Sequence, residues 1–166
     1  MYSAGKPSKP AETGVTLIEM ITVVALIGLI AAISFPAATS GIDSLRMTSA
    51  STSVVAFLNS ALNRAERRQE PVEVVISVAE SKLTMHAMDP SFVRSVSMPD
   101  GVKIDRILPP MPGVEDEAAR SIVLYPGSAP PRVGVELVNR KGGKRIVRVD
   151  PTTGVPAVEQ VKTDEK

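Results

Sequence analysis

The sequence predicts an α+β fold in which a long N-terminal helix packs on an antiparallel β-sheet domain. Three observations predict it. Residues 15–35 are apolar except for one acid, residues 37–70 keep apolar side chains at three- and four-residue spacing, and the remainder breaks into short Val- and Ile-rich runs separated by Pro and Gly. The predicted divisions are a leader (1–14), a membrane helix (15–36), an amphipathic helix (37–70) and a β-rich domain (71–166).

Composition sets the outer limits on function. A chain of 166 residues has room for one ordinary domain and an anchor. The 19 Lys and Arg nearly balance the 18 Asp and Glu, so no global field indicates a polyanionic partner. The absence of Cys excludes disulfides, thiolate catalysis and Cys-based zinc sites.

The apolar run from residue 15 to residue 35 carries a single charge, Glu19. Its length is about the twenty residues that a helix needs to cross a bilayer. Lys6 and Lys9 precede it and favour a cytoplasmic N-terminus. A buried core helix fits less well because the run is apolar on all faces, and a secretory signal has a shorter apolar region.

Glu19 is costly in such a segment unless it stays hydrated or meets a cation. One interpretation is an interfacial acid that reaches water. The other is an acid that meets a positive partner when helices assemble side by side. A free amino terminus at Val15 would supply that partner, and would require cleavage after Gly14.

The segment Gly14-Val15-Thr16-Leu17-Ile18-Glu19-Met20 resembles the class III signal of type IV prepilins and type II secretion pseudopilins. The resemblance implies that prepilin peptidase cuts after Gly14 and methylates Val15. It also makes Glu19 the acid that sets helix register during assembly. Gly28 and Pro36 fall where this family commonly has them, whereas Val15 stands where Phe is usual.

Beyond the membrane segment the helix is predicted to continue to about residue 70. Pro36 lacks an N–H and is predicted to kink or locally unwind it. Pro71 marks its end. The apolar stripe of the second half needs a surface to pack on, most simply a single sheet formed by the rest of the chain.

Short strands are predicted after the helix. They cover residues 72–78, 82–88, 93–98, 102–108, 122–125, 133–138, 146–149 and 155–161. Gly142 and Gly143 are predicted to supply the positive φ angles of a tight hairpin. Residues 109–117 form a loop whose acids, Glu115 to Glu117, lack the alternating spacing of a calcium site.

One long helix followed only by strands resembles the soluble part of pseudopilin H and of FimT-like minor pilins. The stretch from Leu58 to Arg68 with the strand 72–78 carries this resemblance. Residues 125–128, the Gly142-Gly143 hairpin and residues 150–155 carry it at the C-terminal end. Residues 89–120 are not placed by it.

No catalytic constellation is predicted, and neither a cofactor nor a metal is expected. His86 is the single histidine and lies in a predicted strand, where a structural role is expected. The feature that remains is a set of cations around the last hairpin: Arg140, Lys141, Lys144, Arg145 and Arg148. They either keep an edge hairpin soluble or form a patch for DNA, anionic lipid or an acidic partner.

These features predict a minor pseudopilin of a type II secretion pseudopilus, not an enzyme. It would sit in the bacterial inner membrane by a single span, with its C-terminal domain in the periplasm. The implied partners are prepilin peptidase, the other minor pseudopilins, the major pseudopilin and an inner-membrane assembly platform. The alternatives are a FimT-like minor pilin of a type IV pilus, with or without DNA binding through the basic hairpin, and, from another class, a signal-anchored periplasmic enzyme.

Overall fold

The structure, a computed structural model, describes residues 14–113 and 118–160, with the side chains at 35–40 and 160 left out. The predictions for the leader before Gly14, for the acids 115–117 and for residue 161 of the last strand lie outside these ranges. The chain divides into two compact units, Met1–Ser40 and Gly41–Lys166.

The helix, α1, runs from Leu17 to Arg68 over 52 residues, so its predicted bounds are confirmed to within two residues. It ends where Gln69 takes a left-handed φ of 54°, two residues before Pro71. Pro36 lies inside the assigned helix. The kink predicted there stays a prediction.

In the first unit, α1 contains one window, Leu17–Ser34, that is long and apolar enough to cross a membrane. All side chains of residues 14–34 are exposed in the isolated chain. A helix that is apolar all round and uncovered by its own chain needs an apolar surrounding, such as lipid or other helices. This property is compatible with a single-pass membrane protein.

The second unit contains eight strands that follow the helix in the chain. They are β1 (Val72–Ser77), β2 (Lys82–Ala87), β3 (Val93–Ser97), β4 (Val102–Leu108), β5 (Arg120–Leu124), β6 (Gly134–Asn139), β7 (Lys144–Val149) and β8 (Pro156–Gln160). Each overlaps a strand predicted from the sequence.

The strands form two sheets, so the prediction of a single sheet is wrong. One sheet has the order β3-β2-β1-β5 and the other β4-β6-β7-β8, and all pairs are antiparallel. The separation is set by long-range pairing: β5 returns to β1, whereas β4 pairs with β6. Local alternation of side chains identifies strands but not their neighbours.

Both sheets contribute to one core with the second half of α1. Alternate residues of β1, namely Val72, Val74 and Ile76, are buried, as the period of a half-buried strand requires. The helix contributes buried side chains at the predicted spacing, including Val54, Leu58, Ala61 and Ala65. The α+β architecture with a helix packed on antiparallel sheets is therefore confirmed.

Candidate functional site

Gly14, Val15 and Glu19 lie at the start of α1, and all three are exposed. Gly14 to Thr16 are not helical, and a Cβ added to Gly14 would have open space around it. Thr16 Oγ1 accepts a hydrogen bond from the Glu19 N–H at 3.3 Å, which makes Thr16 the N-cap of α1. The bond between Gly14 and Val15 therefore lies in non-helical, exposed chain directly before a capped helix.

Glu19 lies in the first turn of α1 and its side chain is exposed. In this position a carboxylate also interacts favourably with the partial positive charge of the helix N-terminus. Within residues 14–113 and 118–160, no Lys, Arg or His makes an ion pair with it. Among these described residues, therefore, Glu19 has no cationic partner.

The cationic hairpin occupies a different place from the one predicted. It joins β6 and β7, which lie in the interior of the second sheet between the edge strands β4 and β8. The prediction that it is an edge hairpin is therefore wrong, because β8 pairs with the free side of β7. Protection of an edge cannot be the reason for these charges.

Most of the hairpin cations have partners within the second unit. Lys141 Nζ lies 3.3 Å from Asp43 Oδ2, and Arg148 Nε lies 3.6 Å from Glu159 Oε2. Arg145 Nη1 donates a hydrogen bond of 3.0 Å to Thr48 Oγ1 on α1. Arg140 is exposed at the turn, and its backbone N–H donates to the Gly101 carbonyl.

Lys144 is the most strongly bound of the five cations. Its Nζ donates to Asp105 Oδ2 and to Glu136 Oε1, at 2.7 Å in each case. Arg106 approaches the same two carboxylates at 3.5 Å. The Lys144 hydrogen bond holds the pKa of Asp105 below its usual value, and the hydrogen bonds to Asp105 and Glu136 raise the pKa of Lys144.

A register shift in β4 builds this ion cluster. The pairing of β4 with β6 slips between Ile104 and Arg106, so Asp105 has no partner opposite it. This places both Asp105 and Arg106 within reach of Glu136. The sequence reasoning missed Asp105 and Glu136, although a lone acid in the apolar run 133–138 was a usable signal that a cation would be nearby.

The two glycines of the hairpin turn serve different purposes. Gly142 has a φ of 80°, as predicted. Gly143 does not have a positive φ, so the prediction for this glycine is wrong. A Cβ on Gly143 would lie 3.0 Å from Asn139 Nδ2, so this glycine lets the Asn139 amide cross the turn. Asn139 Oδ1 accepts hydrogen bonds from the N–H groups of Lys141 and Gly143.

His86 lies half-buried in β2, opposite Glu73 on β1 and Val93 on β3. No group of three or more His, Asp or Glu able to hold a metal occurs in the described part of the chain. An apolar cleft of about 490 Å³ lies between the ends of β4 and β7. Its lining residues are Leu108, Pro109, Pro110, Arg132, Val133, Gly134, Arg148, Val149 and Pro151.

Comparison of the chain with models of known families, with curated proteins and with solved structures finds no match.

Proposed function

We propose that this chain is a pilin-like filament subunit, and specifically a minor pseudopilin of a type II secretion pseudopilus. The observation that carries the proposal is α1 itself. It starts with a capped, accessible segment, continues through an exposed apolar window with Glu19 at its head, and ends as part of a sheet domain. Such a helix has an apolar surface that only lipid or other helices can cover.

The proposed sequence of events begins at Gly14. A prepilin peptidase hydrolyses the Gly14–Val15 bond with water on the cytoplasmic side of the inner membrane. It then transfers a methyl group from a sulfonium methyl donor to the Val15 nitrogen, which releases a proton. The α-amino group of Val15 is a primary amine before methylation and a secondary amine after it. In both states it is mostly cationic at neutral pH. The periplasmic domain, residues 41–166, stays attached to the membrane through α1.

Assembly then uses Glu19 as its reference point. An ionised carboxylate within the apolar layer costs about 2.5–3.5 kcal/mol at the centre and less near the interface. Pairing Glu19 with the amino terminus of a neighbouring subunit removes this cost at one axial stagger only. The chain thus acts as a structural subunit, beside other minor pseudopilins, the major pseudopilin and the assembly platform, and has no catalytic turnover of its own.

The alternative of a DNA-binding minor pilin depends on the cationic hairpin. Three of its five cations, namely Lys141, Lys144 and Arg148, lie beside carboxylates of the same chain. Because those carboxylates offset part of the hairpin charge, fewer counterions would be released when it meets DNA. This favours the secretion subunit over a DNA receptor.

Processing tests the proposal directly. Gly14→Leu should leave an uncut precursor in cells that carry a prepilin peptidase, because a bulky side chain replaces the glycine at the cut. Intact-mass measurement of the purified chain distinguishes precursor from a product that begins at methylated Val15. Gly5→Leu makes the same change within the leader and should be cut normally. Normal mature mass from Gly14→Leu would refute the proposed cleavage.

A further inference from the structure

The strongest unassigned feature lies at the far end of α1. Four arginines and one phenylalanine, with Ser60 and Asn63, line a shallow, open surface cavity of about 430 Å³ between the last turns of the helix and β3. The arginines are Arg64, Arg67, Arg68 and Arg94, and the aromatic residue is Phe92. Arg64, Arg67 and Arg68 share one helix face by their three- and four-residue spacing.

Arg64 is fixed within this cavity. Its guanidinium carbon lies 3.5 Å from the centroid of the Phe92 ring, and Nη2 lies 3.1 Å from Glu70 Oε1. The Arg64 Nε is buried and finds no hydrogen-bond acceptor among the described residues. A buried donor without an acceptor is costly, so the Phe92 ring and Glu70 have to offset that cost in holding Arg64.

The other three arginines leave excess positive charge at the cavity. Arg67, Arg68 and Arg94 are exposed, and none makes an ion pair within the described ranges. The helix dipole favours cations in the last turn, which accounts for Arg67 and Arg68. It does not account for Arg94, which comes from the sheet.

Arg94 also marks an open strand edge. It lies opposite the buried Met85, so it shares the helix-facing side of the sheet. Its strand, β3, pairs with β2 on one side and ends the sheet on the other. The backbone N–H and C=O groups on that outer side can pair with an added strand.

We infer that this cavity and the adjoining edge of β3 bind an extended, acidic segment of a partner protein. The segment adds a strand to β3 and places alternate carboxylates beside Arg94 and Arg67. Arginine–carboxylate contacts of this kind are strong and directional. A single-stranded nucleic acid fits less well, because one face of Phe92 is already covered by Arg64 and unavailable to a base.

The test uses the full chain in detergent micelles and dye-labelled peptides, followed by fluorescence anisotropy. The probe alternates valine with glutamate. A peptide that alternates proline with glutamate has the same charge but lacks most of the N–H groups of a strand, and one that alternates valine with lysine reverses the charge. The valine–glutamate peptide should bind at least about tenfold more tightly than either of the others.

The matched variants are Arg67→Gln with Arg94→Gln, and as control Arg132→Gln with Arg140→Gln, two exposed arginines elsewhere. The first pair should weaken binding about tenfold and the control pair should not. Equal thermal unfolding midpoints would show that both fold. Cleavage at Gly14 is not required for this binding, so the inference and the proposed function fail independently.

Three outcomes would overturn the inference. Equal binding of the proline–glutamate peptide would reduce the site to a general anion site. Tighter binding of duplex or single-stranded DNA, lost in the same variant, would assign it to nucleic acid. If Arg94 only prevents strand pairing, the Arg67→Gln, Arg94→Gln variant should bind the valine–lysine and valine–glutamate peptides more tightly than the parent chain does.

Discussion

The position of Glu19 at the start of α1 suggests two physical roles for its side chain, and they can be separated. The spacing Thr16-x-x-Glu19 is that of a capping box, and Thr16 makes the expected contact to the Glu19 N–H. Capping needs only a side-chain acceptor, which glutamine also provides. Pairing with an amino terminus in an apolar layer needs the negative charge. The isosteric change Glu19→Gln therefore keeps the first role and removes the second.

We expect Glu19→Gln to leave membrane insertion unchanged and to lower incorporation into filaments about tenfold. The expected loss corresponds to about 1.5 kcal/mol for a charged hydrogen bond. Incorporation is measured as the ratio of the chain in sheared filaments to the chain in membranes. Glu80→Gln, the same change at an exposed turn of the sheet domain, is the control. Parent-level incorporation of Glu19→Gln would restrict Glu19 to capping.

How far the sequence predicts a residue's role depends on how local its partners are. The segment Gly14–Glu19 is defined by its own spacing, so the sequence alone identifies it, and its cleavage and its assembly role stay predictions. The hairpin cations were found in the sequence, but their partners were not. Lys144 reaches Asp105 across 39 positions and Arg145 reaches Thr48 across 97. No local pattern encodes those contacts.

At the scale of elements, the ion cluster of Lys144, Asp105 and Glu136 ties β7 and the shifted part of β4 to the strand between them, β6. Glu136 is buried, whereas the side chains of Asp105 and Lys144 are each about one-third exposed, at 32%. Removing the ammonium would leave Glu136 buried without its strongest hydrogen bond. The cluster should therefore stabilise the register of β4 against β6.

Lys144→Met tests this role. It should raise amide hydrogen exchange in β4, β6 and β7, corresponding to a loss of about 1–2 kcal/mol at this partly exposed site. Lys103→Met, on the exposed part of β4, is the matched control and should change little. Unchanged protection in Lys144→Met would show that the register is held by the core side chains alone.

The same variant has a pH signature. The pKa of Asp105 is lowered in the folded state, so its contribution is present above its unfolded pKa of about 3.9 and is lost as pH falls through the lower folded value. The raised pKa of Lys144 gives a contribution present below about pH 10.4 and lost as pH rises through the folded value. In Lys144→Met, the protection of the β4, β6 and β7 amides from hydrogen exchange should therefore depend less on pH, both in the acidic range and in the alkaline range.

The elements themselves were predicted well because each has a strong period. The helix and all eight strands are found where apolar spacing placed them. The division into two sheets was missed because strand order is a long-range property. Side chains of α1 such as Phe57 and Leu58 pack in the same core as strands from both sheets, and only the folded arrangement shows this.

At the scale of the whole molecule, the apolar window of α1 is the property that limits where the chain can exist. Under the proposed function, the charge of the leader sets the orientation of the chain in the membrane. Lys6 and Lys9 precede the window, and cations next to a span hold that end in the cytoplasm. The sheet domain would then face the periplasm, where an acidic partner segment could reach β3.

Reversing those charges should disturb the orientation. Lys6→Glu with Lys9→Glu should reduce the fraction of chains whose C-terminal domain is digested by protease added to spheroplasts, because translocation opposes cations and tolerates acids. Lys162→Glu with Lys166→Glu makes the same charge change far from the span and should leave digestion unchanged. Orientation can thus be read without filaments, secretion or cleavage at Gly14. A parent chain whose domain resists digestion in intact spheroplasts and is digested only after lysis would place that domain in the cytoplasm and exclude the proposed filament subunit.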